Sequence, residues 1–267
     1  MKMLNIACGS RYHKDWINID FYPQENVSKA NILKGLPFDN DSFDVVYSSH
    51  FLEHLTPEQA DFVLSEIYRI LKPSGGIIRV VVPDLENICK EYLKILDLVR
   101  KDSQYDEFYE WIVIELIDQL VRCKSGGKML ENFSKVKENE NKKLAEYIAK
   151  RTGDNLFVDK RKKINKKITI YKIKNKILSI YLALIRHLIP TSIRDLVFIK
   201  TSIGERHRWM YDSYSLSKKL YSIGFQGMKI KKYDESDIPN FNMFLLDINE
   251  DGSPYKGESS IYIEAKK

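Results

Sequence analysis

A single helix set between two β-type runs does most to limit what this chain can fold into. In TPEQADFVLSEIYRILK, Thr56 suits an N-cap, Pro57 the first helical position, and Gln59 completes a capping box. Ala60, Val63, Leu64, Ile67, Ile70 and Leu71 then share one helical face, and Pro73 with Gly75 and Gly76 stops the helix. FDVVYSS precedes it and IIRVVVPD follows. The second run is almost unbroken in apolar residues, as a strand covered on both faces must be. Strand, helix and buried strand in that order predict a parallel sheet of the α/β class.

The 267 residues suffice for one such domain with a large insertion. Residues 1–84 and 205–267 mix strand and helix signals, with LNIA, WINID, MKIKKY, NMFLLDI and SIYIEAKK as further strand candidates. YSLSKKLYSIGF reads as a helix ended by Gly224. Between them, 85–204 is poor in Gly and Pro and reads as helices, LENICKEYLKILDLVR and EFYEWIVIELIDQLV most clearly. Charge follows the same division. Ten basic residues and one acid lie between Asp159 and His187, so that segment carries +9 and the net +6 leaves −3 for the rest. The protein is thus a mildly acidic domain with a basic insert, and its overall charge does not make nucleic acid the expected partner. Cys8, Cys89 and Cys123 are odd in number and far apart, which argues against disulfides and a cysteine zinc site. No leader-like apolar run precedes the first strand and no stretch of about 18 apolar residues follows, so a cytoplasmic protein is expected.

In LNIACGSRYHKDWINID a strand runs into Cys8-Gly9, and a second strand ends on Asp20. An acid there can bond both ribose hydroxyls while the first loop passes under the ligand. A surface aspartate after a strand would give the same pattern. The G-x-G-x-x-G fingerprint fails, because Arg11 stands at the second glycine and no helix N-terminus is left for a pyrophosphate. A nucleoside ligand without phosphates fits better than NAD or FAD.

Leu36-Pro37-Phe38, Ser42-Phe43-Asp44, Glu53-His54 and Arg69-Ile70-Leu71-Lys72-Pro73, in that order, resemble the class I S-adenosylmethionine-dependent methyltransferases over residues 3–84. GERHRWMYD, YSLSKKLYSIGF and the C-terminal LDINEDGSPYKG…SIYIEA further resemble predicted methyltransferases of bacterial surface-polysaccharide biosynthesis. The resemblance implies a Rossmann-like, mixed seven-stranded sheet with a large helical insertion, S-adenosyl-L-methionine as cofactor, and O-methylation of a carbohydrate or a lipid- or nucleotide-linked glycan intermediate. It implies that Ala7, Cys8, Gly9 and Ser10 lie against the methionine part, Asp20 holds the ribose, Asn31 and Ile32 face adenine, and Ser48, Ser49 and His50 stand near the methyl. Asn5 replaces an acid common in the family, and a serine interrupts LKPSGG.

His50, Glu53 and His54 also spell H-x-x-E-H, a zinc-peptidase pattern. The run precedes the capped helix and lacks a third ligand in sequence, so no metal is assigned and Glu53 and His54 are read as structural. Some quinone-pathway methyltransferases hold a divalent metal at E-x-x-E-H, where this chain has His50 for the first glutamate. In residues 204–212, GERHRWMYD, His207 is the first choice of general base and His50 the second, since a sugar hydroxyl needs help to lose its proton. Arg206 and Arg208 would bind an anionic group of the acceptor, and Trp209 and Tyr211 would stack on a sugar, unless this is simply a packed loop. The insertion reads as a lid over the acceptor site; its segment 160–189 would meet an anionic membrane. A non-catalytic carbohydrate- or partner-binding module on the same fold, or an RNA methyltransferase binding through 160–176, are the alternatives.

Overall fold

The computed structural model describes residues 1–158, 170–197, 201 and 204–267. Seven strands form one sheet in the order β3-β2-β1-β4-β5-β7-β6. They are β1 Met3–Ile6, β2 Ile17–Asp20, β3 Ser28–Lys29, β4 Val45–Ser49, β5 Ile77–Pro83, β6 Gln226–Lys231 and β7 Ser260–Lys266. β3, β2, β1, β4 and β5 run parallel, whereas β7 is antiparallel to both neighbours. This is the Rossmann-like sheet expected of a class I methyltransferase. β1 leads outward to β2 and β3, after which the chain returns to β4, so the sheet reverses direction at β1 and β4. Ligands of open α/β sheets bind in the crevice at such a switch point.

Side-chain alternation explains the two covered faces. Leu4, Ile6, Val46, Val80 and Val82 point to helices α1 (Pro57–Ile70) and α8 (Ser213–Ile223). The predicted cap of α1 is present in full: Gln59 N–H donates to the Thr56 hydroxyl, and the Gln59 side chain accepts from Thr56 N–H. Met3, Val45, Tyr47 and Val81 point the other way, to Trp16, Ile238, Phe241 and Leu246. NMFLLDI is therefore not a strand. Phe241–Phe244 is a 3₁₀ turn whose two phenylalanines, with Leu246, press on the sheet, which mimics strand alternation in sequence. Arg79 pins this segment. It is fully buried and donates to Asp247 and Glu264, each at 2.7 Å.

The insertion leaves β5 through α2 (Leu85–Val99) and α3 (Asp106–Val121), continues in α4 (Gly127–Glu138) and α5 (Lys142–Thr152), and includes α6 (Ile170–Leu188) and α7 (Thr191–Val197). Trp111, Val136, Leu144 and Ile148 give it a core of its own. Its return is stitched to the main domain where Leu85 N–H donates to the Tyr211 carbonyl. At the end of α5, Gly153 and Gly257 both have positive φ, and a Cβ on either would lie 2.2–2.3 Å from a backbone carbonyl oxygen across the contact. Only glycine fits there. No helix among the described residues is long and apolar enough to cross a membrane. The basic run 160–169 lies outside the described residues.

Candidate active site

The crevice is built where β1 and β4 end side by side, with Ile6 paired to Ser48. Both chains turn sharply there: Ala7 has φ 50°, Gly9 52° and His50 48°. A left-handed conformation costs an alanine or a histidine roughly 1–2 kcal/mol, so the surrounding fold holds it in place. No crossover helix links β1 to β2, only the loop 7–16. Asp20 anchors that loop by accepting from Gly9 N–H at 2.9 Å, while its other oxygen accepts from Tyr22 N–H at 3.0 Å. A carboxylate has about four lone-pair sites, which leaves two for hydroxyls of a ligand.

Three cavities meet at this point. The largest, about 1010 Å³, is lined by Ala7, Gly9, Asp20, Asn31 and Ile32 on one side and by His50, His54, Arg206, His207 and Arg208 on the other. A second, about 200 Å³, continues it along Asn5, Ala7, Cys8, Gly9, Ser10, Arg11, Ser49 and His50. A third, about 330 Å³, opens between the sheet and the insertion, where Gln119, Arg122, Met210 and Lys256 join His50 and His207. His50 borders all three.

Behind the junction lies a buried polar cluster. Glu53 is 1% exposed and neither of its carboxylate oxygens has a hydrogen-bond partner. His50 Nδ1 and His54 Nε2 stand 3.5 and 3.7 Å from Glu53 Oε1. The His54 and His207 rings meet edge to face with centroids 5.0 Å apart. Desolvation dominates each titration: it raises the Glu53 carboxyl to about 8 and lowers His207 to about 3, the latter helped by His54, Arg122 and Lys256. His50 is held well below 6.5 for the same first reason. His50 and His207 are therefore neutral at pH 7.

The structure thus brings together most residues singled out in the sequence. Asn31 caps the short turn Ile32–Lys34 and faces the large cavity. Ser48 is buried and borders none of these cavities. The two aromatics expected to stack on an acceptor do not face it. Trp209 is 46% exposed and borders none of the three cavities, and Tyr211 is buried among the α1 and α8 core residues. Glu53 and His54, expected to be structural, form with His207 a group whose ligand atoms all lie within 4.8 Å. Sequence reasoning also missed Arg11, which stacks 4.1 Å over Tyr255 and donates to the Ile248 carbonyl. Arg122 and Lys256 were missed too, since they reach the site from segments far from His50 and His207 in sequence. Asn5 is buried, donates to the Arg11 carbonyl at 3.1 Å, and leaves its Oδ1 without a donor.

Residues 5–79 match the family model for a methyltransferase domain. That span carries Ala7, Gly9, Asp20, Asn31 and His50, the sheet side of the crevice. An uncharacterized methyltransferase of Synechocystis sp. is 40% identical over 60 residues, which cover 21% of this chain and 28% of that protein. An uncharacterized protein of Haemophilus influenzae is 33% identical over 76 residues, 28% of this chain and 29% of that one. The match spans less than a third of either relative. The crystal structure of a SAM-dependent methyltransferase from Archaeoglobus fulgidus aligns over 100% of this chain and 86% of its own, at 17% identity and a TM-score of 0.38. The domain match agrees with the sheet order and with S-adenosyl-L-methionine as the cofactor.

Proposed function

We propose that the protein is an S-adenosyl-L-methionine-dependent methyltransferase acting on an oxygen of a carbohydrate or glycan intermediate that carries an anionic group. The observation that carries this reading is that His50 and His207 border both the large cavity and the one between sheet and insertion. Residues suited to the cofactor and residues suited to an acceptor thus face each other across two neutral imidazoles. Fit to the cofactor rests on two unspent acceptors, the free lone pairs of Asp20 for ribose hydroxyls and the orphaned Asn5 Oδ1 for an ammonium group. Asn31 and Ile32 would hold the adenine end and Ala7 to Ser10 the methionine end. When bound, the cofactor supplies an electrophilic methyl group.

The chain's own residues then have three tasks. Arg206 and Arg208 line the large cavity, and Lys256 and the Asp118-paired Arg122 line the one beside it, where Glu115 and Asp154 also stand; the cations support an acceptor bearing phosphate or carboxylate. The insertion closes over the crevice through Gln119 and Leu120, whose carbonyls accept from His207 N–H and the Arg206 guanidinium, and this excludes water. A neutral imidazole of His50 or His207 takes the hydroxyl proton. Helix α6 exposes Leu178, Leu184 and Leu188, which supports peripheral contact with the membrane on which lipid-linked glycans are built.

Methyl transfer to a panel of phosphorylated and uronate-bearing glycans tests the reading. His50→Ala or His207→Ala should lower turnover by about 100-fold or more while leaving S-adenosylhomocysteine affinity unchanged. Cofactor binding without turnover on any acceptor would favour the non-catalytic module. Turnover on RNA alone, with steep salt dependence, would favour the nucleic-acid reading.

A further inference from the structure

Glu53 presents a problem that the methyl-transfer reading does not solve. Its carboxylate is buried, and no N–H or O–H donates to either oxygen. Of its two imidazole neighbours, His54 faces it with a lone pair. His54 Nδ1 lies 2.9 Å from the Arg206 carbonyl oxygen, which can only accept, so the ring proton sits on Nδ1. The bare Nε2 is then left facing Glu53 Oε1 at 3.7 Å. Two acceptors aimed at each other in a dry cluster repel unless a proton or a cation lies between them.

We propose that Glu53, His54 and His207 bind one divalent transition-metal ion of the zinc class. One carboxylate oxygen and two imidazole nitrogens, all within 4.8 Å of one another, make a two-histidine, one-carboxylate set. Such sets take zinc and other first-row ions and leave a further position open, whereas magnesium and calcium ask for oxygen ligands. Ligand atoms about 2.0–2.2 Å from a tetrahedral ion stand roughly 3.3–3.5 Å apart, so an inward rotation of about an ångström closes the set. The bond from His54 Nδ1–H to a backbone carbonyl is the support that fixes the ring of a metal-binding histidine. The two ligand-bearing segments are tied as well, because the Glu53 carbonyl accepts from the N–H groups of Arg208 at 2.7 Å and Trp209 at 3.2 Å. His54 and His207 border the large cavity, so the open position faces solute. With the ion in place both of their free nitrogens are engaged, and His50 is left to take the acceptor's proton.

The test uses the full chain, stripped with a chelator and dialysed, and needs no methyl acceptor. Co²⁺ should raise a visible absorption band that saturates at one equivalent and is erased by Zn²⁺. Zn²⁺ affinity, read against a chromophoric chelator, should fall about 100-fold or more in Glu53→Gln, His54→Ala and His207→Ala, and stay unchanged in His187→Ala. Far-UV circular dichroism identifies any variant that fails to fold, and the near-isosteric Glu53→Gln decides the matter if the alanine variants do fail. The absence of a saturable Co²⁺ band, or Zn²⁺ binding as tight in Glu53→Gln as in the wild type, would overturn the proposal and leave a proton in the ion's place.

Discussion

Replacing Arg79 by Met should cost about 4 kcal/mol of stability at pH 7. The guanidinium is fully buried and holds Asp247 and Glu264, which are 1% and 2% exposed. Methionine matches much of its length but leaves both carboxylates without their cation. Asp247 would keep the Tyr47 hydroxyl at 2.5 Å, and Glu264 the Ser236 hydroxyl at 2.5 Å and Asp237 N–H at 2.7 Å. Stranding a charge in this way typically costs about 3–5 kcal/mol. The loss should depend on pH. Burial already raises the Asp247 carboxyl, an effect opposed by Arg79; without the cation it rises further. A carboxyl whose folded value is raised contributes stability at low pH that disappears as pH rises through that value. The variant should therefore approach the wild type near pH 5 and fall away from it toward pH 8. Urea titrations followed by tryptophan fluorescence would show this, since Trp16 packs on Tyr47 and Phe241 beside the network. A loss below about 1 kcal/mol, or one that does not change with pH, would refute the argument.

Other consequences follow from single contacts. Gly257→Ala should destabilise the chain by about 2–3 kcal/mol and loosen the insertion, because its Cβ would lie 2.3 Å from the Arg151 carbonyl oxygen at φ +69°. Thermal denaturation with limited proteolysis between 85 and 158 checks both effects, and an unchanged midpoint would exclude the clash. Cys8 should resist iodoacetamide at pH 8 while exposed Cys123 reacts, because burial, with Asp20 adding to it, raises the Cys8 thiol to about 12. Mass spectrometry of the labelled peptides reads the outcome, and equal labelling would contradict it.

The strand–α1–strand unit was legible because every signal agreed: cap, helical face, stop and doubly covered strand. Gly9 and Asp20 were legible because a short loop between adjacent parallel strands leaves their relation little freedom. Two-residue β3 was too short to announce itself, and NMFLLDI imitated a strand because Phe244 and Leu246 both pack against the sheet. Within GERHRWMYD the residue types were informative and their directions were not. Along this stretch His207 turns inward, Trp209 outward and Tyr211 into the core. The Glu53–His54 pair was visible in H-x-x-E-H but its third member was not, since His207 reaches His54 only through backbone pairing of segments more than 150 residues apart.

Calorimetry of S-adenosylhomocysteine with the wild type and with Asp20→Ala bears most directly on the account. The wild type should bind one equivalent, and the alanine variant should bind at least about ten-fold more weakly, as loss of charge-assisted bonds to two hydroxyls requires. No binding to the wild type, or equal affinity in the two proteins, would contradict the assignment of this crevice to the cofactor.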